Sequence, residues 1–105
     1  MLLLFLLSSI LYSKILNGPY IDDVSKDSVF LRFMTDEIVV LWFGWGEDSK
    51  CDKYLMPLIS RKEHSVNLYG LKPNTKYCYS IFLPLENSTY SYLATTATFT
   101  TFFDE

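Results

Sequence analysis

Residues 64–79 read HSVNLYGLKPNTKYCY, and this stretch decides the fold. Val66 and Leu68 alternate with polar residues, a Pro-Asn pair follows at residues 73–74, and a second alternating segment begins at Tyr77. Alternation with a period of two residues is typical of a strand with one buried face. Pro followed by Asn favours a tight turn. The stretch therefore predicts two strands joined by a short turn.

Short alternating segments separated by polar turns recur on both sides of this stretch. No helix-period apolar stripe longer than a couple of turns appears after residue 18. The predicted strands cover residues 19–24, 29–35, 38–45, 53–59, 64–69, 76–83 and 94–102. They predict an all-β fold, a seven-stranded immunoglobulin-like sandwich of two sheets. The apolar segment 38–45 is expected in the centre of its sheet, and Pro57 places segment 53–59 at an edge.

The composition predicts one folded domain and excludes several function classes. The chain has 105 residues, of which 50% are hydrophobic, so it is too apolar to be disordered. Aromatic residues make up 17% of the chain, which favours strands, where flat rings pack across neighbours. The net charge is −3 and the basic residues are scattered. A nucleic-acid partner is therefore not expected.

The amino terminus resembles a secretion leader. Residues 1–11 read MLLLFLLSSIL, which is shorter than the roughly 20 apolar residues of a membrane-spanning helix. No cation precedes this run, and Leu11 is a bulky residue near the candidate cleavage site after Ser13. The prediction is a signal peptide at residues 1–13, a domain at residues 14–105 and a secreted or lumenal protein. The alternatives are an uncleaved interfacial anchor, the one predicted route to membrane contact, and an extra buried strand.

Two further features bear on export. Asn87 begins an Asn-Ser-Thr sequon, a possible glycosylation site in a eukaryotic host. Cys51 and Cys78 could form a disulfide in an oxidising compartment. Two cysteines do not make a disulfide framework, however, so two free or separately buried thiols are the favoured expectation.

Residues 64–79 resemble the strand, turn and strand of fibronectin type III domains. The shared feature is a tyrosine corner, in which Leu71 closes the bottom of the core, Pro73 lies in the turn and the Tyr77 hydroxyl reaches back to an upstream backbone group. The resemblance implies a fold, and it assigns these three residues structural rather than catalytic roles.

A narrower resemblance, over about residues 18–101, is to the amino-terminal domain of purple acid phosphatases. Family members carry a Trp where this chain has Phe33 and a Gly where it has Asn74, and neither change is expected to break the fold. The resemblance is carried by Gly18-Pro-Tyr-Ile, Asp27-Ser28, Phe43-Gly44, the stretch 64–79 and Phe99-Thr-Thr.

The same resemblance implies that any phosphatase chemistry belongs to a second, carboxy-terminal domain that binds two metal ions. Two-metal hydrolysis needs several carboxylate and imidazole ligands, whereas this chain has one His and no run similar to the family's metal-binding signatures. His64 with Asp22 or Asp23 is a poor metal site, since a lone His at a strand start is more often structural. We find no nucleophile elbow and no glycine-rich phosphate loop. No catalytic residue, metal or cofactor is predicted.

The candidate functional site is an exposed apolar patch. If Val39, Leu41 and Phe43 face the core, their neighbours on the same strand point outward. An exposed aromatic patch marks a contact surface. The competing interpretation is a register slip of one residue, which would bury Trp42. The predicted surface consists of Val40, Trp42, Trp45, Ser80 and Phe82.

These observations predict a non-catalytic interaction module that packs on a catalytic metallophosphoesterase domain or on another protein partner. One alternative is a free-standing adhesion or carbohydrate-binding module, with Trp42, Trp45 and outward-facing Tyr side chains as a stacking platform. A second alternative is a fragment of an acid phosphatase without its metal-binding domain.

Overall fold

The computed structural model describes residues 14–85 and 90–104, with the backbone alone at residues 56–61. The predicted leader at residues 1–13 and the sequon at Asn87 lie outside the described residues. The described chain is all-β, as predicted, and contains five strands. These are β1 (Ile15–Val24), β2 (Ser28–Glu47), β3 (Lys53–Tyr69), β4 (Lys76–Pro84) and β5 (Ser91–Thr100).

The predicted count of seven strands is wrong, because two pairs of predicted strands are continuous. Segments 29–35 and 38–45 both lie in β2, and segments 53–59 and 64–69 both lie in β3. The polar breaks at residues 35–37 and 60–62 contain no Gly or Pro that would end a strand. The β2–β3 ladder instead shifts register between Met34 and Val39. The chain thus bends without leaving the sheet.

The bends in β2 and β3 divide the hydrogen-bonded strands into two layers. The first half of β2 pairs with β1 on one side and with the second half of β3 on the other. The second half of β2 pairs with the first half of β3 and with β4, which in turn pairs with β5. Segment 38–45 is therefore central, as predicted. Segment 53–59 pairs only with β2 within the described chain and forms an edge, as Pro57 indicated.

One buried cluster fills the space between the layers. Leu31 and Phe33 enter it from the first layer, and Phe43 and Ile81 enter it from the second. The Phe43 ring stacks on Tyr79 with centroids 5.8 Å apart, and burial raises the pKa of the Tyr79 phenol above its ordinary value. Large apolar side chains from both layers thus share a single core.

Candidate functional site

Side chains of β2 alternate between core and solvent as the sequence pattern predicted. Leu41 and Phe43 are fully buried, whereas Val40 is 48% exposed and Trp42 is 40% exposed. The register slip that would bury Trp42 does not occur. Trp42 therefore lies on the outer face of the second layer.

Cross-strand pairing extends this apolar surface over all four strands of the layer. Trp42 pairs with Phe82 on β4, and Phe82 pairs with Leu93 on β5. Residues that pair across strands share a face, so these side chains form a row. Tyr54 on β3 joins them because it pairs with Gly44, two residues after Trp42. We call Val40, Trp42, Tyr54, Phe82 and Leu93 the Trp42 face.

The aromatic rings of the Trp42 face contact one another. Tyr54 lies edge-on to Trp42, with centroids 6.5 Å apart and an interplanar angle of 85°. It is tilted against Phe82 at 6.4 Å. A shallow cavity of about 220 Å³ lies between these three rings and Ser91. None of its four lining residues is charged, so this opening suits an apolar side chain of a partner.

The prediction that Ser80 contributes to the exposed surface is wrong. Ser80 is only 6% exposed, and its Oγ donates a hydrogen bond of 3.1 Å to Thr96 Oγ1. Ser80 pairs with Gly44, and Tyr54 and the Cys51 carbonyl lie close above that glycine. Gly44 has no side chain to hold these groups away. Tyr54 and the turn at Cys51 therefore cover Gly44 and the adjacent Ser80, although both residues belong to the outer face.

The prediction that Trp45 belongs to the exposed surface is also wrong. It packs partly buried against the core, tilted against Tyr77 with centroids 6.3 Å apart. The Lys53 ammonium lies 5.4 Å from the centre of its indole ring. An odd-numbered position in β2 shares the parity of Phe43, so Trp45 and Trp42 point to opposite faces. A stacking platform built from both indoles is thereby excluded.

Sequence reasoning missed Tyr54 and Leu93. The signal for Tyr54 was the pair Gly44 and Gly46, which share a face with Trp42 and leave space above the strand. Leu93 was missed because the last strand was predicted to begin at residue 94, whereas β5 begins at Ser91.

Cys51 and Cys78 form a disulfide, so the expectation of two separate thiols is wrong. Their Cα atoms are 5.7 Å apart, which lies within the usual range for a disulfide. The bridge ties the turn after β2 to β4 on the outer side of the second layer. A Cβ atom at Gly46 would clash with the Lys50 carbonyl oxygen, so this glycine allows the turn to fold over the sheet.

The tyrosine corner is present as predicted. The Tyr77 hydroxyl accepts a hydrogen bond of 2.8 Å from the Lys72 backbone N–H, and Leu71 is buried beneath the turn. Asn74 has a φ of 48°, the left-handed conformation that Asn tolerates. A Lys72–Glu47 ion pair at 3.0 Å, beside the corner, raises the pKa of the lysine.

Replacing Tyr77 with Phe is expected to lower the free energy of unfolding by about 1 kcal/mol, because the Lys72 N–H loses its partner while the ring remains in the core. Urea denaturation followed by circular dichroism measures this change. Tyr69→Phe is the control, since Tyr69 is 73% exposed, and it should leave the midpoint unchanged. Equal effects of the two substitutions would contradict a structural role for the Tyr77 hydroxyl.

The only His of the chain occupies a structural position. His64 is buried, stacks on Phe33 with ring centroids 4.9 Å apart and lies 3.2 Å from Thr35 Oγ1 through Nε2. Asp22, which was considered above as a metal ligand together with His64, forms an ion pair with Arg32. Among the described residues, no three His, Cys, Asp or Glu side chains are grouped so that they could hold a metal ion.

Residues 14–85 and 90–104 include no helix with the length and hydrophobicity that a membrane crossing requires.

Comparisons with known proteins identify the fold. No protein-family model matches the chain, and no curated protein sequence does. A computationally redesigned β-sandwich protein has a TM-score of 0.69 at 20% identity, with 85% of this chain and 95% of that chain covered. The fibronectin type III domain of human fibronectin type III domain containing protein 3 has a TM-score of 0.60 at 16% identity, with 88% and 85% covered.

A third similar structure is the sensor domain of the anti-sigma factor RsgI4 in Pseudobacteroides cellulosolvens. Its TM-score is 0.59 at 19% identity, with 87% of this chain and 93% of that chain covered. None of these similarities links the chain to purple acid phosphatases. At such identities they show the fold alone, and that fold is a fibronectin type III-like β-sandwich.

Proposed function

We propose that this protein is a non-catalytic interaction module that binds a protein partner through the Trp42 face. The observation that carries the proposal is the row of side chains from Val40 and Trp42 across to Leu93, with Tyr54 and Trp42 in edge-on contact. Aromatic residues are enriched at the centres of protein interfaces, where they contribute much of the binding energy.

The composition of the site also favours binding over chemistry. The rings surround an uncharged opening, and the single His lies buried in contact with Phe33. A general acid or base must be within hydrogen-bond reach of a bound substrate, and His64 is 5% exposed. These features support a module without catalytic machinery of its own.

The kind of partner is proposed from the sequence. The resemblance to the amino-terminal domain of purple acid phosphatases favours a metallophosphoesterase domain, either in the same polypeptide or in a separate one. In this proposal the apolar Trp42 face is covered by the partner domain.

The disulfide supports a secreted or lumenal location, because such bonds persist in oxidising compartments. It ties two segments 27 residues apart. Together with the predicted signal peptide at residues 1–13, it favours an extracellular setting for the partner.

Nothing in the geometry favours the carbohydrate-binding alternative. Trp42 and Trp45 lie on opposite faces of β2, and Tyr54 stands at 85° to Trp42. The two indoles therefore do not form the shared stacking platform that this alternative requires.

Trp42→Ala is expected to weaken partner binding about tenfold or more, because it removes the central ring of the face. A photo-crosslinking residue at position 40, which is exposed on β2, identifies the partner in the cells that make the protein, and calorimetry with the purified partner gives the affinity. Tyr69→Ala is the matched control, since it removes an exposed aromatic ring from the other layer. Equal binding by both variants would exclude the Trp42 face as the contact surface.

A phosphatase assay on the purified, metal-loaded chain tests the non-catalytic part of the proposal separately. We expect no hydrolysis of p-nitrophenyl phosphate above the rate without protein. Hydrolysis that depends on added metal would overturn the proposal, whatever the result for Trp42→Ala.

A further inference from the structure

The outer edge of β5 lacks the usual protection against strand pairing. Within the described chain β5 pairs only with β4, so no described strand lies along its other edge. No charged residue and no proline occurs between Glu86 and Asp104. Exposed sheet edges are normally protected by charges, prolines, bulges or covering segments. Among residues 14–85 and 90–104, the one such feature of β5 is a register shift beside Leu93.

β1, one of the two edge strands of the first layer, is protected in several ways. It contains Pro19, and its ladder with β2 shifts register three times. It also carries Asp22 and Asp23, and two copies paired through this edge would bring like charges together. Irregular backbone and repulsion therefore disfavour pairing through β1.

β3 has charges and a proline at its free edges. Its first half contains Lys53 and Pro57, and its bend and second half contain Lys62 and Glu63. Lysine and proline at strand edges oppose pairing with another chain. Of the edges in the described chain, β5 therefore has the fewest obstacles to accepting a further strand.

We propose that β5 pairs antiparallel with β5 of a second copy of this chain. Antiparallel pairing about a two-fold axis joins identical strands, and β5 brings no charge into that contact. Its exposed outer side chains include Thr96, Thr98 and Thr100, and Thr–Thr pairs stabilise neighbouring antiparallel strands. Uncharged, β-branched side chains make the strand complementary to itself.

The resulting dimer joins the second layers of the two copies into one continuous sheet. Each copy contributes four strands: the first half of β3, the second half of β2, β4 and β5. The remaining edges are protected, so assembly stops at two copies. The pairing leaves the outer face of the sheet open, and it is therefore independent of binding at the Trp42 face.

Sedimentation velocity over a range from micromolar to millimolar protein tests this proposal. The unmodified chain should change from monomer to dimer, with no higher species. Thr98→Lys, which places a charge on exposed β5, should raise the dimer dissociation constant at least tenfold. Asn67→Lys, at an exposed position on β3, is the matched control and should leave it unchanged.

Hydrogen exchange locates the contact and separates it from other modes of association. Amides of β5 should become more protected as the protein concentration rises, while those of β1 should not. A chain that stays monomeric at millimolar concentration would overturn the proposal. So would a dimer that persists in a folded Thr98→Lys variant, or one that is lost in Trp42→Ala, since association would then use another surface.

Discussion

Phe43→Ala is expected to lower the free energy of unfolding by about 3–5 kcal/mol, the usual cost of removing a fully buried aromatic side chain. Phe43 is completely buried and stacks on Tyr79 between the two layers. The neighbouring residue provides the contrast. Trp42→Ala should cost less, about 2 kcal/mol, because only the buried part of the indole and its edge contact with Tyr54 are lost.

Urea denaturation of the two variants, followed by circular dichroism, tests which side chains of β2 face the core. The free energy of unfolding of an ordinary domain is about 5–15 kcal/mol, so Phe43→Ala could remove most of it and leave little folded protein. Phe43→Leu keeps most of the volume and should cost about 1–1.5 kcal/mol, which leaves a measurable folded state. Trp42→Ala costing more than Phe43→Ala would show that the parity of β2 is reversed.

The parts of the fold that sequence predicted correctly are those governed by local rules. Alternation in residues 38–45 and 64–69 identified the buried faces, since successive side chains of a strand point to opposite sides. The tyrosine corner could be predicted because Leu71, the turn and Tyr77 are close in sequence. The Lys72 N–H that binds the Tyr77 hydroxyl is only five residues before Tyr77. Local spacing was sufficient in both cases.

Strand ends were harder to predict, since polar residues alone do not end a strand. The segment at residues 35–37 reads Thr-Asp-Glu, yet β2 continues through it. Thr35 is buried there, and its hydroxyl donates a hydrogen bond of 2.7 Å to the Glu37 carbonyl oxygen. This hydrogen bond pairs a backbone carbonyl at the bend and so allows β2 to continue through it. The residue types alone do not show that such a bond forms.

The errors at Ser80 and the cysteines concern the outer face of the second layer, whereas strict alternation would have placed Trp45 on the core side with Phe43. Alternation predicts which way a side chain points, but it does not predict which residues are covered from outside. The turn at residues 48–52 folds over Gly44 and Gly46, buries Ser80 and Cys78 and brings Cys51 within bonding distance. Gly44 and Gly46, two glycines on one face of a strand, were the available signal, because they leave space for a covering turn.

Removing the disulfide with the double substitution Cys51→Ala and Cys78→Ala is expected to lower the free energy of unfolding by about 3–4 kcal/mol. The bridge closes a loop of 27 residues, and a cross-link of that span removes conformational entropy from the unfolded chain by this amount in the loop-closure model. Urea denaturation gives the value. Reducing the unmodified chain with dithiothreitol should produce a similar loss, whereas the double variant should not respond. Alkylation of both thiols in the folded, unreduced protein would contradict the bridge, and a double variant as stable as the original would show that it makes no net contribution to stability.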